Sequence, residues 1–313
     1  MEKRIAIFDL GSNAFKLLIA EKSENPEGFK IIHKEQSGVK LASKGINKRI
    51  ITEEARERAL EAIASFKVTA EKYMCRNIKC TGTSAFRDAK NGEILVNEIK
   101  ERFHLDVEII SGEREAELIH KGVSIGFEMD KAPILIMDIG GGSLEIIIAN
   151  QTEIFFQKSY DLGMRRVMEK LKLPDPLNDK AIKKIIDFFE TEFKELDKIV
   201  DNYTPYMLVG TSGSFETVSK LVEVRKKRPL RKISTASFKL SRTRIQELHD
   251  YIVKMPEKKR KDVEGMDIIR VDLIAIAMVF VNHIIKKYNF EKVTYCEFAL
   301  KEGLLTEALN QLD

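Results

Sequence analysis

Residues 5–21, IAIFDLGSNAFKLLIAE, return 129 positions later as residues 134–150, ILIMDIGGGSLEIIIAN. The pairs Ile5/Ile134, Ile7/Ile136, Asp9/Asp138, Gly11/Gly140, Ile19/Ile148 and Ala20/Ala149 are identical in register. Each copy is an apolar run ending in Asp, a Gly/Ser turn and a second apolar run. Glycine punctuation between β-branched segments predicts two antiparallel strands joined by a short loop. A chain that writes this hairpin twice is constrained to two similar halves, each opening on Asp-x-Gly.

The segments downstream of the two copies agree with this. After the first come a further strand, FKIIHKEQSGVKL, and a helix over 52–73 with Thr52 as N-cap and an acidic first turn. Strand NIKCTG, helix ILVNEIKERF, strand DVEII and helix EREAELIHKGV alternate after it, giving β-β-β-α-β-α-β-α. After the second copy the pattern predicts a strand at 153–160, one long helix KAIKKIIDFFETEFKELDKIV, strand YMLVG, helix SFETVSKLV, a basic loop, more helix and a last strand KVTYC. The expected fold is α/β, as two similar domains at 1–124 and 125–313 with a cleft between them. The last helix, about 300–313, is expected to pack back on the first domain.

Composition narrows the class. A chain of 313 residues, 43% hydrophobic and 33% charged, has room for two ordinary cores. A net charge of +4 excludes a uniformly basic polymer binder, though not local patches such as RKKRPLRK (225–232) and KKRK (258–261). Those runs carry no interleaved aromatics, so nucleic acid is not an expected partner. Cys75, Cys80 and Cys296 form no CxxC pair, and with no signal peptide this points to a reducing cytoplasm. The run LIAIAMVFVNHII (273–285) is too short to span a bilayer and reads as a buried helix. The five histidines show no metal-ligand spacing.

The chemistry sits at the turns. A buried ionised Asp is costly unless it meets a metal or several donors, and the glycines after it let backbone N–H groups form an anion-binding nest. Glu145 lies seven residues after Asp138, on the returning strand, which makes the two the best metal ligands in the chain. MLVGTSGSFETVSKL places Gly210, Thr211, Ser212, Gly213 and Ser214 between a strand and a helix start, a layout suited to phosphate. Glu113, Glu115 and Glu117 open another helix, and pattern alone does not choose among them. Arg87, shortly after a strand, could fork onto phosphate or simply face solvent.

At these residues the sequence resembles the exopolyphosphatase and guanosine pentaphosphate phosphohydrolase family, of the actin-like (ribonuclease H-like, ASKHA) fold group. FDLGSNAFKLLIA resembles its first phosphate loop, through Asp9, Gly11, Ser12 and Asn13. TSAFRDAKNG resembles its Arg-and-Asn segment, through Arg87 and Asn91. ISGEREAELIHKGV resembles the segment of its catalytic glutamate, which falls on Glu115. DIGGGSLE resembles the second phosphate and metal loop, through Asp138, Gly140, Gly141, Gly142, Ser143 and Glu145. GTSGSF resembles the third loop and LKEGLL (300–305) the closing motif. Lys40 and Lys301 stand where the family commonly has Arg, and Cys296-Glu297 where it often has Ser-Asp, departures expected to bear on phosphate grip.

The resemblance implies two actin-like domains with the active site between them, in the short two-domain form. It implies hydrolysis of the terminal phosphoanhydride of inorganic polyphosphate, with Glu115 as base and Mg2+ or Mn2+ on Asp138 and Glu145. Guanosine pentaphosphate is the alternative substrate. A non-catalytic alarmone-binding regulator and a sugar- or acetate-type kinase are further readings, the first opposed by the intact Glu115, Asp138 and Glu145. The family often forms homodimers, but no heptad seam marks an interface here.

Overall fold

The computed structural model describes residues 4–226, 230–234 and 236–311. The first half runs β1 (Arg4–Leu10), β2 (Phe15–Lys22), β3 (Phe29–Ser37), α1 (Glu53–Lys72), β4 (Asn77–Gly82), α2 (Ser84–Asp88), α3 (Gly92–Phe103), β5 (Val107–Ile109) and α4 (Gly112–Gly126). The second opens with β6 (Ile134–Ile139), β7 (Leu144–Ala149) and β8 (Ile154–Tyr160), then α5 (Met164–Leu171), α6 (Asp179–Glu192) and α7 (Lys194–Tyr203). It continues through β9 (Leu208–Thr211), α8 (Ser212–Lys226), β10 (Arg231–Ser234), β11 (Ser237–Leu240), α9 (Arg242–Ile252) and α10 (Glu257–Arg260). It ends with α11 (Ile274–Lys287), β12 (Val293–Cys296) and α12 (Leu300–Asn310).

The two sheets repeat one topology. The first has the order β3-β2-β1-β4-β5, and the second contains the equivalent β8-β7-β6-β9-β12 with the β10–β11 hairpin added antiparallel beyond β12. In both, the opening hairpin is antiparallel and the next strand joins parallel to its first strand.

Strand alternation sorts the side chains into layers. Ala6, Phe8 and Leu10 of β1 pack outward with α1 and α3, while Ile5 and Ile7 face the other sheet. Leu135, Met137 and Ile139 of β6 pack outward toward α6, α8, α9 and α11, while Ile134 and Ile136 face inward. Between the sheets lie α4 and α12, whose apolar faces close the central layer. These helices cross closely at two glycines. A Cβ on Gly122 would sit 1.9 Å from the Ala299 carbonyl oxygen, and one on Gly303 would sit 2.1 Å from that of Leu118. The C-terminal helix therefore lies against α4 and β1 of the first half. A boundary at 124/125 falls in the last turn of α4.

Four local expectations change. The long helix at 180–200 divides at Phe193, which is buried and stacks on Phe280, so that α6 and α7 can each wrap the core. MRRVMEKL forms α5, a helix the sequence pattern did not signal. The basic segment before residue 240 includes β10 and β11. Of its run at 225–232, residues 227–229 and the side chain of Lys226 lie outside the described residues. Arg260, from the second basic run, is buried. It donates to the Val271 and Met255 carbonyls and pairs with Asp175 at 2.8 Å, so it is a clamp and not a surface cation. Among the described residues no helix is long and apolar enough to cross a membrane.

Candidate active site

The same alternation that buries Ile5 and Ile7 turns Asp9 inward, and the one that buries Ile134 and Ile136 turns Asp138 inward to face it. Each aspartate is the centre of a cross-strand row. On the first sheet Thr81, Asp9, Lys16 and Gln36 are partners across β4, β1, β2 and β3. On the second, Thr211, Asp138, Glu145 and Ser159 are partners across β9, β6, β7 and β8. The rows form opposite walls of a cavity of about 320 Å3, and Glu115 enters it from the first turn of α4.

Most of the residues singled out in the sequence meet here. Asp9, Gly11, Ser12, Asn13, Glu115, Asp138, Gly140, Gly141, Gly142, Ser143, Glu145, Ser212, Gly213 and Ser214 all line the cavity. The loops touch one another. Ser12 Oγ lies 2.8 Å from Ser84 Oγ, and a Cβ on Gly142 would sit 2.3 Å from Ser84 Oγ and 2.4 Å from Ser12 Oγ. Only glycine fits there. Ser212, at the entry to α8, holds a left-handed φ of 65°, a strain that persists only where the surroundings impose it.

Four others lie off the cavity surface. Thr211 donates to Asp138 Oδ2 at 2.7 Å, and Gly210 admits the ring of Phe215. Arg87 donates to the Ile110 carbonyl at 2.8 Å and to Glu115 Oε2 at 3.3 Å, so its guanidinium reaches the glutamate and not the cavity surface. Asn91 is bound twice to the backbone of Ile51. Lys40 is also off the cavity. Its ammonium pairs with Asp272 at 3.1 Å across the two halves, so its departure from the family pattern concerns their contact more than phosphate. Lys301 does line the cavity.

Sequence reading missed three cations of the cavity lining, Lys16, Lys34 and Arg270. Lys16 was legible in the repeat, for it stands where the second copy has Glu145. Arg270 had no comparable signal, since it lies in an irregular stretch before α11 and reaches the cavity by packing over Gly213.

The electrostatics are those of crowded, buried carboxylates. Burial, with the charges of Asp138 and Asp9, pushes Glu115 up to about 8 against the pull of Arg87. Burial and the charges of Glu115 and Asp138 raise Glu145 well above the usual range, although Ser159 donates to it at 2.7 Å. Burial also raises Asp138 and Asp9, in spite of Thr211, Lys16 and Lys301. Such a set is relieved by a bound cation, which favours the ionised forms. Asp138 and Glu145 suit a hard divalent ion that takes one or two carboxylates and completes its shell with water and phosphate oxygens. No group of three or more His, Cys, Asp or Glu side chains is placed to hold a metal among the described residues.

The Ppx/GppA phosphatase family matches residues 18–312. The chain belongs to that family. Its fold is the actin-like one of two domains, and as a member it is a hydrolase acting on phosphoanhydride bonds. The crystal structure of an exopolyphosphatase from Cytophaga hutchinsonii superposes with a TM-score of 0.94 at 32% identity, covering 99% of this chain and 98% of that one. A bifunctional 3-dehydroquinate synthase/phosphatase from Fusobacterium nucleatum is 28% identical over 97% of this chain, which spans 46% of it. A guanosine-5'-triphosphate,3'-diphosphate pyrophosphatase from Photobacterium profundum is 26% identical over 98% of the chain, which spans 59% of that protein.

Proposed function

We propose that this phosphatase releases orthophosphate from the end of inorganic polyphosphate, with Glu115 as general base and Mg2+ or Mn2+ held by Asp138 and Glu145. The observation that carries the reading is the meeting of the glycine/serine loops and the buried Glu115 around one cavity. The loops at 11–13, 140–143 and 212–214 offer backbone N–H donors to the oxygens of a terminal phosphate from several sides. Lys16, Arg270 and Lys301 add positive charge around the same cavity. Glu115 orients the attacking water and takes its proton, and Arg87 holds the carboxylate in place. A bound divalent cation supplies neutralisation of charge on the transferring phosphoryl group. With such an ion held by Asp138 and Glu145, Glu115 would be drawn down from about 8 and more of the base would be ionised at neutral pH.

Similarity to an exopolyphosphatase over nearly the whole chain supports polyphosphate as the substrate. Similarity to a guanosine-5'-triphosphate,3'-diphosphate pyrophosphatase supports guanosine pentaphosphate as the second reading. Three free, buried cysteines accord with a cytoplasmic site of action. The test is phosphate release with Mg2+ from long-chain polyphosphate and from guanosine pentaphosphate, side by side, with chelator and Glu115→Gln controls. Preference for the nucleotide would reverse the two readings. Tight binding without turnover of either would make the protein a regulator.

A further inference from the structure

The inner-face row of the first sheet extends to its edge strand because of one irregularity. Ala20 pairs with Ile31 but Ile19 pairs with His33, so Ile32 is left over and the parity of β3 reverses. Without that bulge His33 and Glu35 would face the second half. With it, Lys34 and Gln36 do, while Glu35 turns to Thr69 of α1. Lys34 then reaches Glu297, just beyond β12, and Gln36 reaches Asp267 at 3.4 Å. Lys34 Nζ also lies 5.8 Å from the ring centroid of Phe298, a cation–π contact.

Lys34 and Glu297 both line the cavity, on opposite halves of the molecule. Their side chains are 37% and 40% exposed, against 21% for Lys16 and 15% for Lys301, so they stand where the cavity opens to solvent. A polyanion whose last phosphate lies among the loops leaves by that opening, and Lys34 is a cation on its way out. An ion pair this exposed is weakly held, so a phosphate can displace the carboxylate.

We propose that Lys34 is a specificity-determining residue that holds an internal phosphate of a long chain at the cavity opening, and that Glu297 is the carboxylate exchanged for it. This rests on polyphosphate being the substrate. The two residues then have opposite effects on binding, although either substitution breaks the same bridge. Glu297→Gln removes a competitor and a like charge, and KM for long-chain polyphosphate falls about two- to fivefold. Lys34→Gln removes the phosphate ligand, so KM rises about fivefold and depends less steeply on salt. For inorganic tripolyphosphate, short enough to lie within the cavity, KM changes little in either variant.

The experiment is steady-state phosphate release by wild type, Lys34→Gln and Glu297→Gln on both substrates at two salt concentrations, with melting temperatures to establish that each variant folds. KM shifts of opposite sign on the long chain alone support the proposal. Shifts of the same sign would show that the bridge merely joins the two halves, and equal shifts on tripolyphosphate would place Lys34 among the deep ligands. Either result overturns it. Failure of the wild type to hydrolyse polyphosphate at all would instead remove the substrate reading, and the proposal with it.

Discussion

Replacing Glu115 by Gln should make the protein far slower and measurably more stable. Loss of a general base typically costs 10²–10⁴ in rate, so kcat should fall by about that factor while substrate affinity changes little. The stability gain comes from burial. The carboxyl is raised from 4.5 to about 8, so at pH 7 the folded protein keeps a proton that the unfolded chain has lost. At 1.36 kcal/mol per pH unit, the interval from 4.5 to 7 makes the native state about 3 kcal/mol less stable than it would be with a neutral isostere. For a chain of this size that is a rise in melting temperature of about 5 °C. The sign fixes the pH window. For an acid whose folded pKa is raised, the stability is intact below the unfolded value and is lost as pH climbs toward the folded one. The gap between variant and wild type should therefore be absent below pH 4.5, widen up to about pH 8 and then level off. Mg2+ should narrow it, because a cation near Asp138 and Glu145 favours the ionised glutamate. Phosphate release and calorimetric melting across this range test both halves. Near-normal turnover refutes Glu115 as the base. A variant no more stable than wild type at pH 7 refutes the reading of this cluster as electrostatically frustrated.

Two further perturbations probe how the site is held. Gly142→Ala would drive a methyl group against Ser12 and Ser84, and should cost about 1–3 kcal/mol of stability along with a rise in KM, read by thermal melting and steady-state kinetics. Thr211→Val removes the donor that fixes Asp138 Oδ2, and should weaken activation by Mg2+ about tenfold or more in a metal titration, with unchanged activation counting against Asp138 as a ligand.

The hairpins, the register of the repeat and the inward aspartates were legible because strand alternation has a period of two and a glycine turn leaves a clear mark. Residues that reach the site through the tertiary fold were not. Arg270 arrives over Gly213 from an irregular segment, and Glu297, marked in the sequence only as a departure from the family's Ser-Asp, enters from just past the end of β12. Neither position has a periodicity that points at a cavity. The turn of Lys34 toward the second half depends on a one-residue bulge that FKIIHKEQS does not advertise. The break between α6 and α7 escaped notice for a related reason. The stretch through Phe193 stays apolar at helical spacing, and only the aromatic stack with Phe189 and Phe280 shows where the chain divides. Arg260 misled in the opposite direction, since a run of four basic residues looks like surface although one member fills the core.

The most consequential difference between the two copies is the exchange of Lys16 for Glu145. Both stand beside the inward aspartate of their own row. In the first row Lys16 lies 3.8 Å from Asp9, so that wall carries its own compensating charge. In the second, Asp138 and Glu145 are two buried acids held by hydroxyl donors from Thr211 and Ser159, with Glu115 adding a third negative charge nearby. A lysine in both rows would leave no carboxylate pair to hold a divalent ion. A glutamate in both would set a fifth acid beside Asp9, Asp138, Glu145 and Glu115 and turn a polyanion away. With one of each, the cavity can hold an anionic end group and a cation together, the anion drawn toward the Lys16 wall and the cation toward the Glu145 wall. A duplicated hairpin thus becomes a site with a direction, and the direction is set by a single position in the repeat.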